Sequence, residues 1–307
     1  MTTVVALGGN GLVRAGERGT AAEQLANIRE ACEALEPVLA ERELVITHGN
    51  GPQVGNELLR HERAAAEVPP LPLYVAVAQT QAEIGALIEA ELRPATGRPV
   101  ACLLTHVRVA EDDPAFENPT KPVGPFYSEE QARKLEGDRG WAIAADSGRG
   151  WRRLVPSPLP LQIVELDSIR TLVASGTIVI ACGGGGIPVV ARQGRLNGTD
   201  AVIDKDHASA LLAAELGAER LIILTGVDAV ARHFGTAEEE RISELSTEEA
   251  DALATELPAG SMQPKIQACL AYVRATGGEA LITSPEALAK ALKGRAGTRV
   301  TNGNGPR

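Results

Sequence analysis

Lysine is scarce in this chain. Its 30 basic residues comprise six lysines and 24 arginines, so a position that keeps Lys is worth locating. Lys134, Lys290 and Lys293 fall in helix-like, charge-rich stretches and read as solvated. The other three, Lys121, Lys205 and Lys265, lie in TKPVG, VIDKD and SMQPK, beside turn residues and strand ends. A compact ammonium on a flexible stem suits a phosphoryl group in transit, because it is a point charge that can follow the anion. SMQPK also breaks a local rule. Pro264 marks a first helical turn, and a cation just inside it at Lys265 opposes the helix dipole unless an anion is close by. VIDKD admits two readings. Asp204, Lys205 and Asp206 could form a solvated turn with Asp206 near an N-cap, or Lys205 could face phosphate oxygens while an Asp orients it or helps hold a metal ion.

Three glycine-rich turns end apolar runs: GGNG (8–11), GNG (49–51) and GGGG (183–186). The middle one belongs to THGNGPQVGN, where Gly49, Asn50, Gly51 and Pro52 fit neither a strand nor a helix interior. A tight turn is one explanation. The other is that backbone N–H groups are left uncovered for an anion, at helix N-termini whose dipoles favour one. Three such turns at one sheet edge favour phosphate binding over packing alone. Neither GxxxxGK[ST] nor a correctly spaced GxGxxG occurs, which weighs against P-loop and dinucleotide folds. Of the five histidines only His48, beside the GNG turn, is a candidate for the edge of a site.

These residues need a scaffold, and the hydrophobic pattern describes one. TVVALG (3–8), LVITH (44–48), VACLLTHVRV (100–109), TIVIACGG (177–184), RLIILTGV (220–227) and EALITS (279–284) read as strands. Several are continuous apolar runs, as expected for strands covered on both faces. Helical periodicity over 20–41, 79–92 and the stretches DHASALLAAELG and PKIQACLAYVRATG alternates with them. The expected fold is α/β, a three-layer αβα sandwich with a mostly parallel sheet. Residues 110–157 interrupt the rhythm. They are rich in Pro and hold five of the eight aromatics (Phe116, Phe126, Tyr127, Trp141 and Trp151), which predicts a small protruding lobe with its own aromatic cluster. The expected organisation is a single domain over 1–301 carrying this inserted lobe, followed by a frayed tail at 302–307 in which GNGP recurs.

Composition excludes several classes. A net charge of −10 argues against nucleic acid as a partner. No apolar run approaches the ~18 residues of a membrane helix, and the N-terminus has no basic region like that of a signal peptide. Cys32, Cys102, Cys182 and Cys269 show no CxxC or zinc spacing, and buried thiols in a reducing cytoplasm account for them.

Taken together, ALGGNGL, THGNGPQVGN, DDPAFENPTKPVGPFY, GRGWRRLVPSP, ACGGGGIPVV, DAVIDKDHAS and GSMQPKIQA resemble the carbamate kinase branch of the amino-acid kinase family, in register from near residue 4 to about 301. Other branches usually carry Lys in the first strand, where this chain has Ala6. The resemblance implies a cytoplasmic homodimer catalysing reversible phosphoryl transfer between MgATP and carbamate, with ADP and carbamoyl phosphate on the other side. It implies that Gly8, Gly9 and Asn10 with Gly49, Asn50 and Gly51 cradle the phosphoryl and carbamate end. By the same resemblance Lys121 reaches over the site as part of a lid, Lys205 contacts the transferring group, and Asp204 positions charge or metal. Lys265 meets the nucleotide phosphates, and Gly183, Gly184, Gly185, Gly186 and Thr225 border the nucleotide. Mg2+ is expected mainly on the nucleotide phosphates, with no direct protein ligand. The chain departs from the family where an SQGxIGY-like segment reads TQAEIGA, placing Ala82 and Ala86 for Gly and Tyr, and where His106 replaces Gln.

Overall fold

The computed structural model describes residues 1–8, 17, 19–145, 150–257 and 262–303. Its centre is an eight-stranded sheet, ordered Glu244–Ser246, Thr298–Thr301, Glu279–Thr283, Arg220–Leu224, Thr2–Leu7, Glu43–His48, Ile178–Ile180 and Val100–Cys102. The six strands from Glu279–Thr283 to Val100–Cys102 run parallel, and the two at the other edge run against them. Strand side chains alternate between faces, so a strand apolar at every position must be covered on both. Thr2–Leu7 behaves this way. Val4 and Ala6 join a core containing the helices Leu166–Ala174, Lys205–Leu216, Thr247–Glu256 and Gln263–Thr276. Val5 and Leu7 point into a second core with Ala21–Ala34 and Leu73–Thr96. The result is the three-layer αβα arrangement.

The chain leaves Thr2–Leu7 toward Glu43–His48 on one side, and leaves Arg220–Leu224 toward Glu279–Thr283 on the other. Connections that diverge from neighbouring parallel strands open a crevice at their carboxyl ends. Gly8 and Thr225 stand at this point.

The single strand expected over 100–109 is two strands in different sheets. Val100–Cys102 pairs with Ile178–Ile180, while His106–Val109 pairs with Ile187–Arg192 and Pro160–Ile163 in a smaller four-stranded sheet. Thr105 is the corner between them. Its N–H donates to Gln81 Oε1 at 2.5 Å, its hydroxyl donates to the Leu103 carbonyl at 2.9 Å, and its Oγ1 accepts the Cys182 N–H at 3.0 Å. RQGRLNGTD turns a hairpin at Gln193 (φ +51°) and Gly194 (φ +74°), the two positive values a two-residue turn between twisted strands prefers.

Within the span expected to form the lobe, Lys121–Tyr127, Trp151–Val155 and Ala142–Ala145 make a three-stranded sheet with the helix Glu129–Arg139. Ser128 and Gln131 form a reciprocal capping box at that helix's start, and Gly140 ends it at φ +64°, as local sequence favours. Val123 and Val155 seat the sheet on Val54 and Leu58 of the helix Gly51–Ala64. The aromatics form a different arrangement from the cluster expected. Trp141 stacks against Arg139 and Arg153, Trp151 against Arg133, and Phe126 against Arg152, at 4.5–5.1 Å; such pairs are cation–π contacts. Phe116 packs on the core of the main sheet instead. Residues 304–307, most of the expected tail, lie outside the described residues.

Candidate active site

One wall of the crevice is bare backbone. A β-carbon on Gly8 would stand 3.0 Å from the Leu224 carbonyl oxygen, so glycine lets the ends of two strands approach. Gly9 and Asn10 lie outside the described residues. The Gly49 N–H donates to the Leu7 carbonyl at 3.1 Å, and the helix Gly51–Ala64 starts at once with Asn50 as its N-cap residue. Asn50 does not cap. Its Nδ2 donates to Thr80 Oγ1 at 3.0 Å, and the helix start has no side-chain cap hydrogen bond among the described residues. A helix N-terminus left open in this way favours an anion. Among the described residues, and apart from its chain neighbours and its own helix backbone, no atom lies within 4 Å of a β-carbon placed on Gly51.

The GGGG turn is packed against this one. A β-carbon on Gly183 would stand 2.3 Å from His48 Nε2, one on Gly184 2.1 Å from Asn50 Nδ2, one on Gly185 2.3 Å from the Ile203 carbonyl oxygen, and one on Gly186 2.3 Å from a Val107 methyl. Gly184, Gly185 and Gly186 have positive φ, between 66° and 91°. Each therefore has a steric or conformational reason to be glycine. Thr225 lies elsewhere, half-buried, with its N–H donating to the Thr283 carbonyl at 2.9 Å. The strand before the GGGG turn and the strand before Thr225 are separated by two others, roughly 14 Å at the usual spacing. The turn thus borders GNG on the far side of the sheet from Thr225.

The three lysines carry the charge. Asp206, only 2% exposed, receives Lys205 Nζ on Oδ1 and Lys265 Nζ on Oδ2, the latter at 2.9 Å. Both ammonium-bearing side chains are 12% exposed. Burial pushes the Asp206 carboxyl up, but the two lysines outweigh it and hold the group below its ordinary value. Asp204 Oδ2 receives Lys121 Nζ at 2.6 Å, while its Oδ1 accepts the Asp206 N–H at 2.9 Å. Burial and Lys121 oppose each other there too, and the net direction is again downward. Asp204, not Asp206, is therefore the N-cap of Lys205–Leu216. Asp206 sits in the first turn, where the lysines can reach it. The cation that seemed misplaced at the start of Gln263–Thr276 has its anion, supplied by another helix. Thr47 and Ser209 hydroxyls, 2.6 Å apart, tie Lys205–Leu216 to the strand leading into GNG.

Asp206 is the residue sequence reasoning undervalued. Its signal was present in the D-K-D spacing, but which Asp caps the helix and which holds lysines depends on where a helix 59 residues later comes to rest. Both oxygens of Asp204 and both of Asp206 are committed to N–H and ammonium donors. This donor set fits Mg2+ held on phosphate oxygens of a nucleotide better than Mg2+ held by these carboxylates. Ala82 and Ala86 lie on the exposed side of Leu73–Thr96, and His106 binds Glu165 through its backbone and ring at 2.7 and 2.8 Å. Cys32, Cys182 and Cys269 are buried free thiols and Cys102 is half-buried. No helix among the described residues is long and apolar enough to cross a membrane.

Known proteins share this construction. A sequence model of the amino acid kinase family matches residues 1–284. Carbamate kinase of Halobacterium salinarum is 49% identical over 307 residues, spanning 97% of each chain. The carbamate kinase of Pyrococcus horikoshii is 44% identical, over 97% of this chain and 98% of its own. A solved structure of carbamate kinase from Giardia lamblia bound to AMP-PNP aligns over 98% of both chains, with a TM-score of 0.90 and 38% identity. The chain belongs to the amino-acid kinase family, within its carbamate kinase branch.

Proposed function

We propose that this protein is a carbamate kinase, moving a phosphoryl group reversibly between ATP and carbamate. The observation that carries the reading is the Asp206 clamp, two ammonium groups held by one buried carboxylate, on a chain whose Gly51–Ala64 helix starts without a side-chain cap. Carbamate is already an anion and needs no general base to become a nucleophile. The reaction instead requires two mutually repelling anions to be aligned and the charge on the phosphoryl in flight to be neutralised.

Each part has a role under this proposal. Gly8 and the Gly49–Asn50–Gly51 backbone receive the phosphoryl and carbamate end, with Gly9 and Asn10 completing the cradle. Lys205 lies against the transferring group, and Lys265 meets the nucleotide phosphates. Because Asp206 holds both, their separation is set before substrate arrives, and the protein does not reorganise as charge develops. Lys121 reaches from the three-stranded sheet to Asp204 and closes the site as a lid, with Asp204 fixing its position. Thr225 borders the nucleotide. Gly183–Gly186 border the nucleotide in this proposal, and their packing beside Asn50 supports a further part in shaping the acceptor pocket. Mg2+ arriving on the nucleotide phosphates supplies further charge neutralisation.

Acceptor identity is tested by offering ADP and Mg2+ with carbamoyl phosphate or acetyl phosphate and following ATP. Carbamoyl phosphate is expected to react at least about 100-fold faster, the scale of one lost transition-state contact. Preference for acetyl phosphate would make this a kinase of another carboxylate. ATP binding with no turnover of either would make it a nucleotide-binding regulator. The proposal includes a cytoplasmic homodimer. Leu104, Leu159, Leu161 and Leu196 are 46–58% exposed on or beside the smaller sheet, and a second copy would cover such a surface. Light scattering at twice the chain mass supports this, and a monomer at micromolar concentration contradicts it.

A further inference from the structure

His48 ends the strand Glu43–His48 and has no part in the chemistry above. Its ring is fully buried, wedged between the GNG and GGGG turns. Nδ1 lies 3.0 Å from the Gly49 carbonyl oxygen. That oxygen can only accept, so the neutral ring carries its proton on Nδ1. Nε2 is then a bare lone pair: among the described residues no hydrogen bond of ordinary geometry reaches it, and the Gln81 backbone carbonyl near the ring is a weaker acceptor than that of Gly49. It faces Gly183, whose missing side chain is what makes room for it. An unpaired buried nitrogen costs stability. A leucine would fill the same space without that cost, so the ring must earn its place through Nδ1.

Peptide geometry shows how. In a trans peptide the carbonyl and the following N–H point in opposite directions, and no cis peptide occurs among the described residues. Fixing the Gly49 oxygen on a buried ring therefore turns the Asn50 N–H away from the core. No described residue accepts a hydrogen bond from that N–H. We propose that His48 is a positioning residue: as the Nδ1–H tautomer it locks the Gly49–Asn50 peptide so that the Asn50 N–H faces the anionic acceptor. Burial, joined by the nearby Lys205 charge, pushes the ring's pKa down to about 4. At neutral pH the ring thus holds the peptide without adding a cation that would compete with Lys205 for the anion.

The assay rests on the carbamate kinase reading, but the tautomer does not. Asparagine can place an amide N–H near the position of Nδ1, whereas glutamine extends its amide toward the position of Nε2. After confirming that each variant is folded by its thermal transition, kcat and KM would be measured for carbamoyl phosphate and ADP. His48→Asn is expected to stay within about 5-fold of wild type. His48→Gln is expected to lose about 100-fold in kcat/KM for carbamoyl phosphate, comparable to losing one anion-facing N–H, with KM for ADP unchanged. Equal impairment of the two variants, or equal damage toward both substrates, would overturn the positioning role. Nitrogen-15 spectra of histidine-labelled wild type give a second reading that needs no turnover. Nδ1 should be protonated and Nε2 bare between pH 6 and 8, and an Nε2–H tautomer or an imidazolium would overturn the proposal even if the protein phosphorylates something else. Failure to use carbamoyl phosphate with the expected tautomer intact would sink only the substrate assignment.

Discussion

The two ends of the crevice solve the same problem by different means. At the acceptor end, the GNG and GGGG turns meet through glycine backbone, a neutral imidazole and two amide side chains, Asn50 and Gln81. At the phosphate end, Asp204 and Asp206 hold three lysines in ion pairs. Dipoles at the first end are fixed by sterics, since each glycine of the GGGG turn touches an atom a methyl group would displace. Charges at the second are fixed by electrostatics, since each ammonium has a carboxylate. Under the proposed function a small acceptor would be gripped by shape, and a phosphoryl group that moves would be followed by charges on flexible stems. Mutations should accordingly damage the two ends in different kinetic parameters.

The largest effect is expected from Asp206→Asn. It leaves two nearly buried ammonium groups side by side without their counter-charge. Breaking such a pair costs about 3–5 kcal/mol of stability, and kcat should fall on the order of 100- to 1,000-fold. Denaturant unfolding and steady-state kinetics check both, and a variant that keeps stability and kcat would remove the clamp from the account. Gly184→Ala comes next and strikes the other end. The new methyl collides with the Asn50 side chain at a backbone φ of +66°. A drop of about 100-fold in kcat/KM for carbamoyl phosphate with KM for ADP unchanged is expected, the scale of a misplacement near 1 Å. Equal changes for both substrates would erase the distinction between the ends.

Acid separates the ends by pH. His48 titrates near 4 when folded against an ordinary value of 6.5, so the unfolded chain takes up its proton first. Its contribution is whole above about pH 6.5 and is lost as pH falls toward 4, by about 3 kcal/mol. His207, also lowered by burial, adds to the same window. Asp204 and Asp206, held below 3.8, contribute above that value and lose their contribution only at lower pH. Unfolding free energy should therefore fall in two stages on acidification, and His48→Gln should flatten the first. A single stage below pH 4 would show that the histidine does not titrate as described. The smallest effect is expected from Tyr127→Phe, which removes a hydroxyl contact to Glu62 at 3.2–3.3 Å between the three-stranded sheet and the helix Gly51–Ala64. A loss of about 1 kcal/mol or less in thermal unfolding, with KM shifted by less than about 5-fold, is the predicted result.

Much of this was legible before any coordinates. Strands such as Thr2–Leu7 and Arg220–Leu224 are apolar at consecutive positions, and only a sheet covered on both faces accommodates that. The three lysines stood out against a background of arginine, and all three converge on Asp204 and Asp206. What could not be read were choices made by tertiary partners. VACLLTHVRV is uniformly strand-like, and it divides because Gln81, on a helix, captures the Thr105 N–H. In D-K-D either Asp has the chemistry to cap a helix, and only the approach of Lys265 and Lys121 decides between them. GGGG reads as a phosphate turn by composition, yet its glycines are required by His48, Asn50, Ile203 and Val107, none adjacent in sequence.

The most direct measurement follows ATP formed from carbamoyl phosphate, ADP and Mg2+ by the wild type and by Lys205→Ala. ATP from the wild type, with kcat about 1,000-fold lower in the variant and an unchanged unfolding transition, is the predicted result. Equal rates would contradict the place given to Lys205 on the transferring phosphoryl group.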